Sequence, residues 1–180
     1  MKLCMIGTGY VGLVSGVCFS DVGNKVYCVD KDKKKIDLLN NGKVPIYEPG
    51  LEEILKRNYR QKRLIFTSDL KKAVDNSDII FICVGTPTKK NSNSAELKYV
   101  FNVARELKKI IKSYKIIITK STVPVTTGDK IENILSNLKK RKLVDVVSNP
   151  EFLREGDAIR DFIYPDRVVI GTDSSKANRV

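Results

Sequence analysis

Gly7, Gly9 and Gly12 lie in the stretch IGTGYVG, residues 6–12, at the spacing G-x-G-x-x-G. That spacing suits a turn that holds a pyrophosphate. The first glycine makes the tight bend and the second lets the backbone approach phosphate oxygens. The third lets a helix pack against a strand while its free N–H groups face the anion. Eighteen residues after Gly12 stands Asp30, a carboxylate closing an apolar run and spaced to accept hydrogen bonds from an adenosine ribose. It would repel a 2′-phosphate, which favours NAD over NADP. Lys31, Lys33, Lys34 and Lys35 blur that preference, because one of them could swing toward such a phosphate. A glycine-rich turn with no ligand is the plain alternative.

Three further loops begin where apolar runs end: VGTPT at residues 84–88, KSTVPVTT at 120–127 and SNPEFLREG at 148–156. Hydroxyl residues beside proline make stiff loops that present O–H and N–H donors. Thr86 next to Pro87, and Ser121 with Thr122, are of this kind, while Glu151 and Glu155 supply carboxylates. Each loop has a structural alternative, in which the hydroxyls cap helices and Glu155 belongs to a first helical turn.

Positioning these groups on one edge requires a particular set of elements. Runs with strand character occupy residues 2–6, 25–29, 64–67, 78–84, 115–119, 143–147 and 167–171. Between them, helical spacing is read over 11–22, 32–41, 50–58, a brief segment after Ser68-Asp69, 96–111 and 126–139. Strands alternating with helices predict an α/β fold, a Rossmann-type doubly wound parallel sheet with helices on both faces. The expected strand order is 3-2-1-4-5-6, which places the ligand crevice outside the carboxyl ends of strands 1 and 4. Residues 1–180 are read as a single domain with a polar tail at 173–180, and the polar loop 89–94 is expected to be mobile.

Composition narrows the classes. The longest apolar runs are far shorter than a membrane span of roughly 18 residues, and no signal peptide is read, so a membrane partner is not expected. Histidine is absent and the cysteines, Cys4, Cys18, Cys28 and Cys83, form no C-x-x-C pair, which argues against a metal and for reduced, inert thiols in the cytoplasm. The net charge of +12 raises a nucleic-acid reading. The lysines are scattered over helix faces and ends, however, and solvated charge or a polyanionic small substrate explains them better.

The set GTGYVG, Val29-Asp30, PIYEPGLEEIL (residues 45–55), VGTPT, KSTVPV and NPEFLREG resembles the amino-terminal domain of the UDP-glucose/GDP-mannose dehydrogenase family over nearly the whole chain. The YEPGLEEIL version is most like the branch that acts on UDP-glucose; branches that act on GDP-mannose or UDP-N-acetylmannosamine share these motifs. The resemblance implies a metal-free enzyme that oxidises C6 of a nucleotide sugar twice with NAD. It implies cofactor contacts at Gly7, Gly9, Tyr10, Val11, Gly12, Asp30, Lys35, Gly85, Thr86, Pro87, Ser121, Thr122 and Glu155. Thr122, Glu151 and Glu155 would be catalytic, and Glu151, Phe152, Leu153, Arg154 and Glu155 would touch the sugar nucleotide. Relatives of full length continue with a central helix, through which they dimerise, and a sugar-binding domain carrying a nucleophilic cysteine. The chain is therefore expected to be a cofactor half-site that binds NAD weakly and turns over nothing. A non-catalytic NAD-responsive binding module is the alternative of another class.

Overall fold

A computed structural model describes residues 1–90, 92 and 94–180 of the chain. The elements run β1 (Lys2–Ile6), α1 (Tyr10–Asp21), β2 (Lys25–Val29), α2 (Lys33–Asn40), α3 (Leu51–Arg60), β3 (Leu64–Thr67), α4 (Leu70–Asp75), β4 (Ile79–Ile82), α5 (Lys98–Ile110), β5 (Lys115–Thr119), α6 (Thr127–Ile134), α7 (Ser136–Lys140), β6 (Val144–Ser148) and α8 (Ala158–Ile163), with a final 3-10 turn at Ala177–Arg179. The strands form one parallel sheet in the order β3-β2-β1-β4-β5-β6, as expected from the alternation of strands and helices.

The apolar strands are explained by the two layers that cover them. Along β1, Leu3 and Met5 enter one core while Cys4 and Ile6 enter the other, and Val26 and Cys28 alternate with Tyr27 and Val29 in the same way along β2. Both faces being buried, neither set of positions tolerates polar side chains. Leu13 of α1, Ile36 of α2, Leu51 of α3 and Ala158 of α8 cover the first face. Ala73 of α4, Val100 of α5, Ile131 of α6 and Leu138 of α7 cover the second. All four cysteines are free and buried. Among the described residues no helix is long and apolar enough to cross a membrane.

Three expectations need correction. Residues 167–171 do not form a strand; they make one antiparallel bridge, in which Ser148 and Gly171 exchange two hydrogen bonds of 2.8 Å. Because β6 ends at Ser148, residues 167–170 run past the sheet with no strand beside them among the described residues, and Val168, Val169 and Ile170 are exposed. The helix expected over 126–139 breaks at Leu135, where an amide-to-carbonyl bond from Leu138 tightens the turn to i+3 spacing. The expected strand 78–84 shortens to Ile79–Ile82 because the chain diverges from β1 after Cys83 donates to Ile6 O at 2.9 Å. In the terminal segment 173–180, Ala177 packs against the first core and the Lys176 ammonium lies 3.3 Å from the Tyr114 ring centroid. Residues 91 and 93 of the loop expected to move lie outside the described residues.

Candidate functional site

β1 and β4 are adjacent, but the segments that follow them depart to opposite faces, toward α1 and α5 respectively. This parting opens a cleft of about 620 Å³ at the carboxyl edge, walled by Gly7, Gly9, Asp30, Lys35, Gly85 and Pro87. Leu70, Val103 and Tyr99 add an apolar and aromatic wall suited to a flat base.

The three glycines play different physical parts. Gly7 has φ +102°, and a Cβ there would lie 2.8 Å from Cys83 O. At Gly12 a Cβ would lie 1.9 Å from Gly7 O and 2.9 Å from Cys83 Cβ, so this glycine sets how closely α1 approaches the sheet. Gly9 differs: a Cβ there would meet no described protein atom within 4 Å. The space over Gly9 is thus left free by the protein itself, at the N-cap of α1, whose first turn has neither a side-chain cap nor an acidic residue. Its unpaired N–H groups face the cleft edge as anion donors. The residues present therefore fit a pyrophosphate.

Asp30 follows β2 on the same edge. Its Oδ2 accepts from the Thr8 amide at 2.9 Å and the Thr8 hydroxyl at 2.7 Å, and its Oδ1 accepts from the Asp32 amide at 3.0 Å. The Lys35 ammonium stands 3.5 Å from Oδ2. Burial alone would raise the Asp30 pKa, but these hydrogen bonds and Lys35 outweigh it and hold the carboxyl below its ordinary value. A carboxylate has about four lone-pair sites, so Oδ1 keeps one for an incoming hydroxyl. Lys31, expected to compete for a 2′-phosphate, is held by Glu106 at 2.6 Å.

The other loops meet at this edge. Thr86 Oγ1 donates to Thr122 O at 3.0 Å, joining VGTPT to KSTVPV. Ser121 is buried and its hydroxyl donates to Val84 O at 2.7 Å, a bond between two loops rather than a helix cap. Val11 is half-buried beside Gly12 in α1, and Tyr10, at the head of α1, turns its hydroxyl to Glu48. Gly156 donates to that same hydroxyl at 2.7 Å, which brings the NPEFLREG loop against the glycine turn.

The residues of the NPEFLREG segment line two spaces. Glu151, Phe152, Leu153 and Arg154 line a second cavity of about 850 Å³ with Lys120 and Asn149, whereas Glu155 faces a separate hollow with Tyr10 and Tyr47. Glu151 Oε2 accepts from the Leu153 amide at 2.6 Å. The Arg154 guanidinium is taken up by Asp161 at 2.6 Å and Asp157 at 3.1 Å, so its charge is spent on α8. Cys83 lines the cleft opposite Gly7. Burial pushes its thiol up to about 12, with Lys120 pulling against that and Glu151 adding to it.

Three polar residues of the site escape the sequence reading. Lys120 is buried, with its pKa lowered by burial, and donates to Asn149 Oδ1 at 3.1 Å. Its signal is a charge directly after the apolar strand KIIIT. Asn149 in turn donates to Val169 O at 2.9 Å. Glu48, 7% exposed, carries no sequence signal beyond its place in YEPGLEE.

This sheet order, the uncapped glycine turn and the acidic residue after β2 together define a dinucleotide-binding α/β domain. Residues 1–180 match the model described as UDP-glucose/GDP-mannose dehydrogenase family, NAD binding domain, and the chain belongs to that family. It is 54% identical over 175 residues to UDP-glucose 6-dehydrogenase of Rhizobium meliloti, covering 97% of this chain and 40% of that protein. It is 51% identical over 177 residues to UDP-glucose 6-dehydrogenase TuaD of Bacillus subtilis, covering 98% and 38% respectively. A ternary complex of GDP-mannose dehydrogenase from Pseudomonas aeruginosa superposes with a TM-score of 0.94 at 40% identity, over 99% of this chain and 42% of that one. The chain thus spans about 40% of the length of these relatives.

Proposed function

We propose that this chain is the cofactor-holding domain of a nucleotide-sugar 6-dehydrogenase that converts UDP-glucose to UDP-glucuronate. The observation that carries the reading is the pairing of free space over Gly9 with the ordered carboxylate of Asp30 on one sheet edge. NAD, when bound, supplies the hydride acceptor for both oxidations of C6.

The chain's own residues bind, orient and move protons. Backbone N–H groups of the Gly7–Gly12 turn hold the pyrophosphate, and Asp30 with Lys35 holds the adenosine ribose. Gly85, Thr86, Pro87 and Thr122 line the path toward the nicotinamide end, near Glu155; Ser121 supports it from beneath through Val84 O. Thr122 and Glu151 order water or accept the hydroxyl proton at the reacting carbon, the general-base step that hydride departure requires. The segment 151–155 presents the sugar-nucleotide face. The cysteine that captures the aldehyde and becomes a thioester lies outside this chain, in line with the buried, high-pKa thiols here. UDP-glucose is favoured over GDP-mannose because the relatives at 54% and 51% identity act on the former by name, against 40% for the GDP-mannose enzyme. The chain forms one domain, and the longer protein is a homodimer.

Calorimetric titration tests this. The chain should bind NAD in preference to NADP and form no NADH from UDP-glucose. Equal affinity for NADP, or no binding of NAD, overturns the cofactor assignment; NADH formation by the isolated chain overturns the half-site assignment.

A further inference from the structure

Glu48 is a nearly buried carboxylate to which neither the cofactor nor the sugar reading gives a task. Its Oε2 accepts hydrogen bonds from the Tyr10 hydroxyl and, at 2.9 Å, from the Gly156 amide. Its Oε1 accepts from the Ile159 amide at 3.2 Å. The Gly156 amide also donates to the Tyr10 hydroxyl oxygen at 2.7 Å, so three groups from distant parts of the chain close a small ring of bonds. Tyr10 directly follows Gly9 and opens α1, while Gly156 directly follows Glu155. Gly156 has φ +90°, a backbone setting that side chains rarely adopt, which turns its N–H inward toward Glu48.

A buried charge is tolerated only where it is fully partnered, and here the partners come from two separate functional segments. The amides of Gly156 and Ile159 tie the start of α8 to Glu48. The additional bond from Tyr10 joins that anchor to the glycine turn. The Tyr10 hydroxyl is pushed up to about 12, by burial first and then by its bond to Glu48, so it stays a protonated donor across the working range of pH.

We propose that Glu48 is a positioning residue: acting through Tyr10 and Gly156, it fixes the loop bearing Glu155 against the glycine turn and so completes the nicotinamide end of the dinucleotide site. This rests on the reading that NAD lies across that turn. The adenosine end, built on Asp30, does not depend on Glu48.

The test compares NAD with ADP, a probe that fills the adenosine and pyrophosphate part alone, in calorimetric titrations of the parent chain, Glu48→Gln and Tyr10→Phe. Glutamine turns an N–H toward one of three donors, so Glu48→Gln should weaken NAD about tenfold and leave ADP within about twofold. Tyr10→Phe removes the link to the turn but keeps the Gly156 and Ile159 amides bonded to Glu48, and should shift the NAD to ADP ratio in the same direction without lowering the urea midpoint. A purely structural role would weaken both ligands together or change stability alone, and an unchanged ratio in a folded variant overturns the proposal. Should Glu48→Gln fail to fold by circular dichroism, the ratio in Tyr10→Phe decides by the same criterion. A parent chain that binds neither ligand overturns the dinucleotide reading, and the positioning role with it; a parent that binds both, beside variants with its ratio, overturns the positioning role alone.

Discussion

Gly9→Ala separates a glycine kept for a ligand from one kept for folding. Gly9 has φ −69° and ψ −170°, extended backbone open to any residue, and an added Cβ would touch no described atom within 4 Å. The variant should therefore be as stable as the parent, or more stable by about 0.4–1 kcal/mol through the lower entropy of its unfolded chain. Its methyl, about 1.5 Å beyond Cα, enters the space assigned to the pyrophosphate and forces the anion outward. Losing one charge-assisted N–H bond to a phosphate oxygen, at about 1.5–3 kcal/mol, weakens NAD roughly 10- to 100-fold. Gly12→Ala is the opposite case: its Cβ would sit 1.9 Å from Gly7 O, so α1 must move and the urea midpoint must fall. The overpacking cost is about 1–3 kcal/mol. The assay is calorimetric titration with NAD at fixed salt, paired with urea unfolding followed by circular dichroism. A Gly9→Ala chain that binds NAD like the parent, or unfolds as readily as Gly12→Ala, would refute the reasoning.

Asp30→Ala should weaken NAD binding and also cost about 1–3 kcal/mol of stability, because the buried Thr8 amide and hydroxyl lose their shared acceptor. The pH dependence of that stability has a defined sign: the folded pKa of Asp30 lies below its ordinary 3.8, so the contribution is full above 3.8 and is lost as pH falls through the lower folded value. Urea midpoints of the parent and Asp30→Asn should keep a constant gap from about pH 7 to 5 and converge in more acid solution; convergence near neutrality would contradict the assignment. Lys120→Met should leave stability unchanged or raise it by about 1–4 kcal/mol, since it removes a buried charge held by a single side-chain hydrogen bond to Asn149; a marked loss of urea midpoint would show that the ammonium is better paired than the geometry indicates.

The sheet was legible because its two-sided burial writes itself into composition. Runs such as KLCMI and KVYCV have no polar face, and that implies helices on both sides, from which the strand order and the crevice follow. The glycine turn and Asp30 were legible because each is a local device whose spacing is fixed by one strand, one bend and one helix. Residues 167–171 misled because an apolar β-branched run states a preference without naming a neighbour, and pairing is decided by where β6 stops. The division of residues 151–155 between two cavities is not legible for a related reason: the Gly156 turn that follows Glu155 is held by Glu48, more than a hundred residues earlier. Lys120 and Glu48 are single polar residues whose roles exist only through such distant partners. At short range Lys120 is marked only by its place directly after KIIIT, and Glu48 only by its place in YEPGLEE.

The positive charge of the chain has little to do with how the cleft would hold a dinucleotide. In the cleft Lys31 is matched by Glu106 and Lys35 by Asp30. Outside it, Lys56 pairs with Glu52, Lys71 with Asp75 and Lys139 with Glu132 on solvated helix faces, where such pairs contribute little. Backbone N–H groups of the first turn of α1 remain as donors at the carboxyl edge, directional and fixed by the close approach of Gly12 to Gly7 O. A dipole held in that way discriminates by position, and a free lysine by charge alone. The demand for position explains why Gly7 and Gly12 are crowded while Gly9 is open, and why a carboxylate as costly to bury as Glu48 is spent on joining the turn to the loop after β6.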